Sequence, residues 1–246
     1  MKPQAMTNKL ILLAFSAMIG ASAQAATLSL TSVDDIDFTN VIKAYDFTGT
    51  GNNGTFFDIG GVTFTRHNWQ LSGPADGMTI VSGGHPSADN QGSGAPNITL
   101  GGTAADRANL NALLDVWNIG AGSSNGSQVN LSIALADGSY NLQFLVGKNN
   151  DRGNDYYDIS AGNVGSGNEV MLGSFEVDGA TDTGNLLITS TVTVTGGTLD
   201  LAIVGDNASG DARPVFSGLI ISQIPEPSSA MLGVMGSLLL LRRRRE

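Results

Sequence analysis

Cysteine is absent from the 246 residues of this chain. No disulfide can staple the fold, no zinc–thiolate site can form, and a cysteine nucleophile is excluded. Histidine is almost as scarce, with only His67 and His85. A Ser-His-Asp triad would have to use one of them, yet there is no G-x-S-x-G elbow and no H-E-x-x-H metal pair. His67 stands in Arg66-His67-Asn68-Trp69 at an expected strand end and His85 in a Gly/Pro loop, so both are expected on the surface. Only 14% of the residues are charged, whereas glycine occurs 33 times. That balance belongs to a β-rich, loop-rich domain stabilised by core burial alone, not to a helical one.

Long apolar runs are missing too. The two that exist, Leu10 to Ile19 and Ala230 to Leu241, are too short for an ordinary membrane-spanning helix of about 20 residues. The first follows Lys2 and Lys9 and precedes Ala23-Gln24-Ala25, a small-x-small cleavage site. This is the order of a secretory signal peptide, with the mature chain expected to begin at Ala26 and Ala21-Ser22-Ala23 as a second site. The second run sits between Pro225-Glu226-Pro227 and Arg242, Arg243, Arg244 and Arg245. The prolines cannot extend a strand, and the arginines would stay on the cytoplasmic side of a membrane. A plain tail anchor is the simpler alternative, but the run is short for one.

The ordered parts of this tail, IPEPSSAMLGVMGSLLLLRRRRE, closely resemble a PEP-CTERM sorting signal. The resemblance implies recognition by an exosortase, a membrane-embedded transpeptidase, with processing near the triplet and transient insertion in the inner membrane. It implies delivery to the cell surface or the extracellular space. The expected organisation is a signal helix at 1–25, one folded domain at 26–223 and a hydrophobic sorting helix at 224–246.

Setting aside both ends leaves 6 basic and 20 acidic residues, a net charge of −14. Such a body argues against nucleic acid or an anionic polymer as partner. Its length is usual for one all-β domain. Val41 to Phe47, Val62 to Thr65, Met78 to Val81, Tyr156 to Ala161, Glu169 to Val177 and Val215 to Ile221 read as strands. Val129 to Leu135 and Tyr140 to Val146 alternate about Ala136-Asp137-Gly138-Ser139 and read as a hairpin. Leu186 to Val194 and Leu199 to Ile203 flank Gly196-Gly197. One helix is expected, capped by Thr103 with Asp106, its apolar face made of Leu110, Leu113, Leu114 and Trp117. Short antiparallel strands with one helix and no βαβ rhythm indicate a mainly β fold, a single antiparallel β-sandwich.

The stretches LADGSYNLQFLVGKNNDRGNDYYDISAGN and TLDLAIVGDNASGDARPVFSGLIIS are similar to strand pairs of galactose-binding-like and malectin-like jelly rolls. That resemblance implies a jelly-roll sandwich and, in many members, sugar binding. The sugar-contacting aromatics of those families have no identifiable counterpart here. From the residues alone, Trp69, Tyr156 and Tyr157 are the aromatics able to stack on a sugar ring. The neighbouring tyrosines must point to opposite faces of a strand.

The loop Asn149-Asn150-Asp151-Arg152-Gly153-Asn154-Asp155 is the most oxygen-rich segment, and Asn149, Asp151 and Asp155 are its candidate calcium ligands. It lacks the EF-hand register, and a solvated hairpin loop with Arg152 paired to a neighbouring aspartate is the favoured reading. Asp206, Asn207 and Asp211 form a weaker set. Glu169 and Glu176 are the only glutamates of the body, and seven residues apart on one strand they face opposite ways. A glycosidase pair must stand roughly 5–10 Å apart across a cleft. The expectation is therefore a non-enzymatic exported sandwich that binds polysaccharide. The alternative is a secreted polysaccharide hydrolase or lyase whose aspartates no motif marks.

Overall fold

The computed structural model describes residues 25–47, 56–67, 76–82, 97–115, 128–147, 155–162, 170–177, 185–205 and 217–225. Its strands are β1 (Ala26–Leu30), β2 (Val41–Asp46), β3 (Phe56–Ile59), β4 (Val62–Arg66), β5 (Met78–Ser82), β6 (Gln128–Ala134), β7 (Gly138–Val146), β8 (Asp155–Ala161), β9 (Val170–Val177), β10 (Asn185–Val194), β11 (Thr198–Gly205) and β12 (Gly218–Gln223). One helix, α1 (Ala104–Asp115), and a short 3-10 turn at Val33–Asp35 complete the set. The strands form a seven-stranded sheet in the order β1-β10-β7-β12-β2-β4-β3 and a five-stranded sheet in the order β5-β6-β11-β8-β9. The fold is the expected β-sandwich. Among the described strands the departure from antiparallel pairing is β2 beside β4, which run parallel over Tyr45–Thr65 and Asp46–Arg66.

Alternation builds the space between the sheets. Tyr140, Leu142, Phe144 and Val146 of β7 meet Val129, Leu131 and Ile133 of β6 and Leu199, Leu201 and Ile203 of β11 in one core. Each such side chain contributes roughly 1.5–3 kcal/mol by leaving water. The apolar residues of opposite phase make a second core. Leu145, Leu187 and Ile220 face outward from the seven-stranded sheet and are covered by Leu110, Leu113 and Leu114 of α1. Phe144-Leu145-Val146 is thus a continuous apolar run because both faces of β7 are buried there. The helix is a third layer on the sandwich.

The helix start is fixed as the sequence indicates. The Asp106 N–H donates to Thr103 Oγ1 at 3.2 Å, and the Thr103 N–H donates to Asp106 Oδ2 at 2.8 Å. The other oxygen, Oδ1, accepts the Gly60 N–H at 2.8 Å, tying α1 to the β3–β4 turn. In that turn Gly60 and Gly61 take φ of 59° and 77°, the left-handed values that a two-residue hairpin loop requires. At the helix end, Leu114 lies against Gly147, where any Cβ would overlap the Leu114 carbonyl oxygen. Trp117 and the glycines expected to end the helix lie outside the described residues.

The hairpin expected at Ala136–Ser139 does not form. β6 pairs with β5 and β11, while β7 pairs with β10 and β12 in the other sheet. The turn is a corner that carries the chain across the sandwich. Tyr140 Oη donates to the Ala136 carbonyl at 2.7 Å, and the Gly197 N–H donates to Asp137 Oδ1 at 2.8 Å. Two strands, β1 and β3, were not anticipated. β1 is an edge strand that buries only Leu30, and β3 has four residues, so neither carries a readable alternation.

Candidate functional site

α1 covers only part of the outer face of the seven-stranded sheet. It sits over Leu145, Leu187 and Ile220, near the ends of their strands. Further along β7 and β10 the outward positions become Asn141, Gln143, Thr189 and Thr191, with Thr189 in register with Gln143 and Thr191 with Asn141. Gln143 is buried and engaged. Its Oε1 accepts the Asp37 N–H at 2.9 Å and its Nε2 donates to the Asp37 carbonyl at 2.7 Å. These two bonds hold the segment following the 3-10 turn across the sheet as a rim.

Between rim and strands lies a depression of about 270 Å³, lined by Asp37, Asn141, Leu142, Gln143, Thr189, Ser190 and Thr191. Leu142 and Ser190 alternate toward the inner core, so they offer it backbone rather than side chain. Among the described residues the Asn141 carboxamide and the Thr191 hydroxyl have no hydrogen-bond partner. Thr189 Oγ1 reaches the Ala26 carbonyl only at a long 3.5 Å. The Asp37 carboxylate is held below its usual pKa of 3.8, first by the Thr39 hydroxyl and then by the Thr39 N–H, which donates to Oδ1 at 2.8 Å. The lining thus offers an amide, two threonine hydroxyls with their methyls, and one ionised carboxylate. Among the described residues the lining holds one carboxylate and no histidine.

The residues singled out from sequence fall elsewhere. Trp69, Asn149 and Asp151 lie outside the described residues, as do Asp206, Asn207 and Asp211. Asp155, Tyr156 and Tyr157 belong to β8 of the five-stranded sheet, in register with Val177, Glu176 and Phe175 of β9. They share no sheet with the depression. No group of three or more metal-ligating side chains occurs among the described residues. Ala23, Glu226, Pro227 and Arg242 to Arg245 are also outside them, while Pro225 is exposed just past β12. No helix among the described residues is long and apolar enough to cross a membrane. Asp37, Asn141, Thr189 and Thr191 were missed as site residues. The signal of Asn141, Thr189 and Thr191 was present as polar outward positions in strands that are otherwise buried, whereas Asp37 lies in the segment before β2 and carried none.

His67, expected on the surface, is 1% exposed. It follows β4, whose parallel pairing with β2 draws it inward, and its N–H donates to the Asp46 carbonyl at 2.7 Å. Neither ring nitrogen has a partner. Burial lowers its pKa below 6.5, weakly opposed by the nearby backbone of Met78 and of His67 itself. Asp46 is 2% exposed, and its Oδ2 accepts from Arg66 Nε at 3.0 Å while Oδ1 is unpaired. Burial pushes its pKa up to about 6 against the pull of Arg66. Alternation sets the two groups on opposite faces of the sheet, so they do not form a catalytic pair.

No protein-family model matches the chain, and a search of curated proteins finds no match. Among solved structures it is similar to a calcium-binding mutant of Bacteroides uniformis beta-glucuronidase 2, at 14% identity over 74% of this chain, with a TM-score of 0.44. The chain spans 18% of that enzyme's length. It is similar at 14% identity to the plant receptor-like kinase FER, over 75% of this chain and 42% of that one, with a TM-score of 0.43. A family 35 carbohydrate binding module from an environmental isolate is 16% identical over 62% of this chain and 95% of its own, with a TM-score of 0.37.

Proposed function

We propose that this chain is an exported, non-catalytic β-sandwich protein, sorted through its C-terminal tail by an exosortase to the cell surface or extracellular matrix, where it binds polysaccharide. One observation carries the sorting part. The Ile224 N–H donates to the Ser139 carbonyl at 2.9 Å, and the exposed Pro225 follows immediately. The sorting motif therefore begins one residue beyond the last backbone bond among the described residues. β12 lies between β7 and β2 inside the sheet, so the residues leading into the tail belong to a strand paired on both sides. Processing near the triplet would leave that anchor untouched.

The test is the mass of the full chain expressed in a host with an exosortase and in the same host lacking it. The expected result is loss of the hydrophobic tail only where the transpeptidase is present, abolished by Pro225→Ala with Glu226→Ala. Equal masses in both hosts would sink the sorting reading. The non-catalytic part predicts no reducing-sugar release from extracellular polysaccharide, and sustained release would replace it with an enzyme.

A further inference from the structure

We infer that the depression over β7 and β10 is a saccharide subsite that takes a neutral, hydroxyl-rich sugar unit. This rests on the polysaccharide-binding reading above and adds a place and a ligand class to it. The chemistry of the lining argues for both. Asn141 presents a carboxamide that can donate and accept, and Thr191 a hydroxyl that can do either, and neither has a partner among the described residues. Adjacent hydroxyls of a sugar alternate between donor and acceptor in the same way. Thr189 and Thr191 add methyl groups that can lie against the carbon–hydrogen face of a ring. Gln143 cannot take part, because both ends of its amide are used by Asp37. Its role is positioning: it fixes the rim that makes the surface concave.

The exclusions are equally chemical. Among the described residues no cationic side chain lines the depression, and Asp37 stands ionised at its edge on a body of net charge −14. A uronate or phosphate would be repelled. About 270 Å³ leaves room for one sugar ring rather than an oligosaccharide. With no aromatic in the lining to stack on it, a single unit binds only at about millimolar strength. A polymer offering many units to a surface crowded with copies binds far more tightly.

The test is affinity electrophoresis of the exported protein through gels containing dextran, galactomannan or alginate. Asn141→Ala and Thr191→Val each remove hydrogen-bonding capacity from a partly exposed strand position, and their melting temperatures are measured alongside. The expected result is retardation by a neutral polymer and not by alginate, about five-fold weaker in each variant at unchanged melting temperature. Asp37→Asn should raise retention by alginate. Retardation of the native chain that both variants keep in full would overturn the site while leaving polysaccharide binding intact. Preference for alginate would overturn the ligand class. No retardation by any of the polymers would overturn the site together with the reading it rests on.

Discussion

The outer face of the seven-stranded sheet divides into two halves built from the same strands. Under α1, β7 and β10 present Leu145 and Leu187; beyond it they present Asn141, Thr189 and Thr191. One half is closed by Leu110, Leu113 and Leu114, and the other is bounded, among the described residues, by the rim at Asp37. The outward residue changes from apolar to polar where the helix stops. A strand position under the helix carries stability, one beyond it carries recognition on our proposal, and substitutions in the two halves should separate those properties.

The largest expected effect is in the closed half. Leu113 is 1% exposed, and Leu113→Ala should cost about 2–5 kcal/mol in denaturant unfolding, with polysaccharide retention preserved in the folded fraction. Gly147→Ala should cost about 1–3 kcal/mol, because the new Cβ displaces the end of α1. A small loss there would mean that the helix is loosely seated. Thr191→Val, in the open half, should change stability by less than about 0.5 kcal/mol and show itself only in binding. Loss of retention in Leu113→Ala, or of stability in Thr191→Val, would dissolve the distinction.

Between these in size are the pH effects of the two buried groups on opposite faces. Asp46 has a folded pKa of about 6 against 3.8, so the folded state holds its proton more tightly. Its contribution is fully present below pH 3.8 and is lost as pH rises toward 6, a span of roughly 3 kcal/mol. His67 acts in the opposite sense. Its folded pKa lies below 6.5, so its contribution is present above that pH and lost on acidification. The two slopes offset one another in the native protein. Asp46→Asn should reveal a stability that falls as pH drops below 6.5, and His67→Phe one that falls as pH rises from 4 to 6. Unfolding curves at five pH values would show this, and parallel profiles for all three proteins would refute it.

How much of this was legible in the sequence differs by element. The helix was readable because its cap and its face are both local, and the Thr103–Asp106 exchange forms as the spacing indicates. Alternation found β6 and β7 but could not name their partners. Two amphipathic strands about a tight turn read alike whether they pair or face each other across a core. The corner is set by distant contacts, among them Leu135 N–H donating to the Gly197 carbonyl at 3.1 Å. His67 was misplaced because its burial depends on a parallel pairing with a strand twenty residues away. Asn141 and Gln143 look equivalent in sequence, and only the position of Asp37 makes one structural and leaves the other free.

Amide chemical-shift mapping of the exported protein with a neutral oligosaccharide tests the two-halves account most directly. The account predicts that the resonances of Asn141, Thr189 and Thr191 move while those of Leu145 and Leu187 under the helix stay still. Shifts centred instead on Tyr156 and Tyr157 of β8 would contradict it.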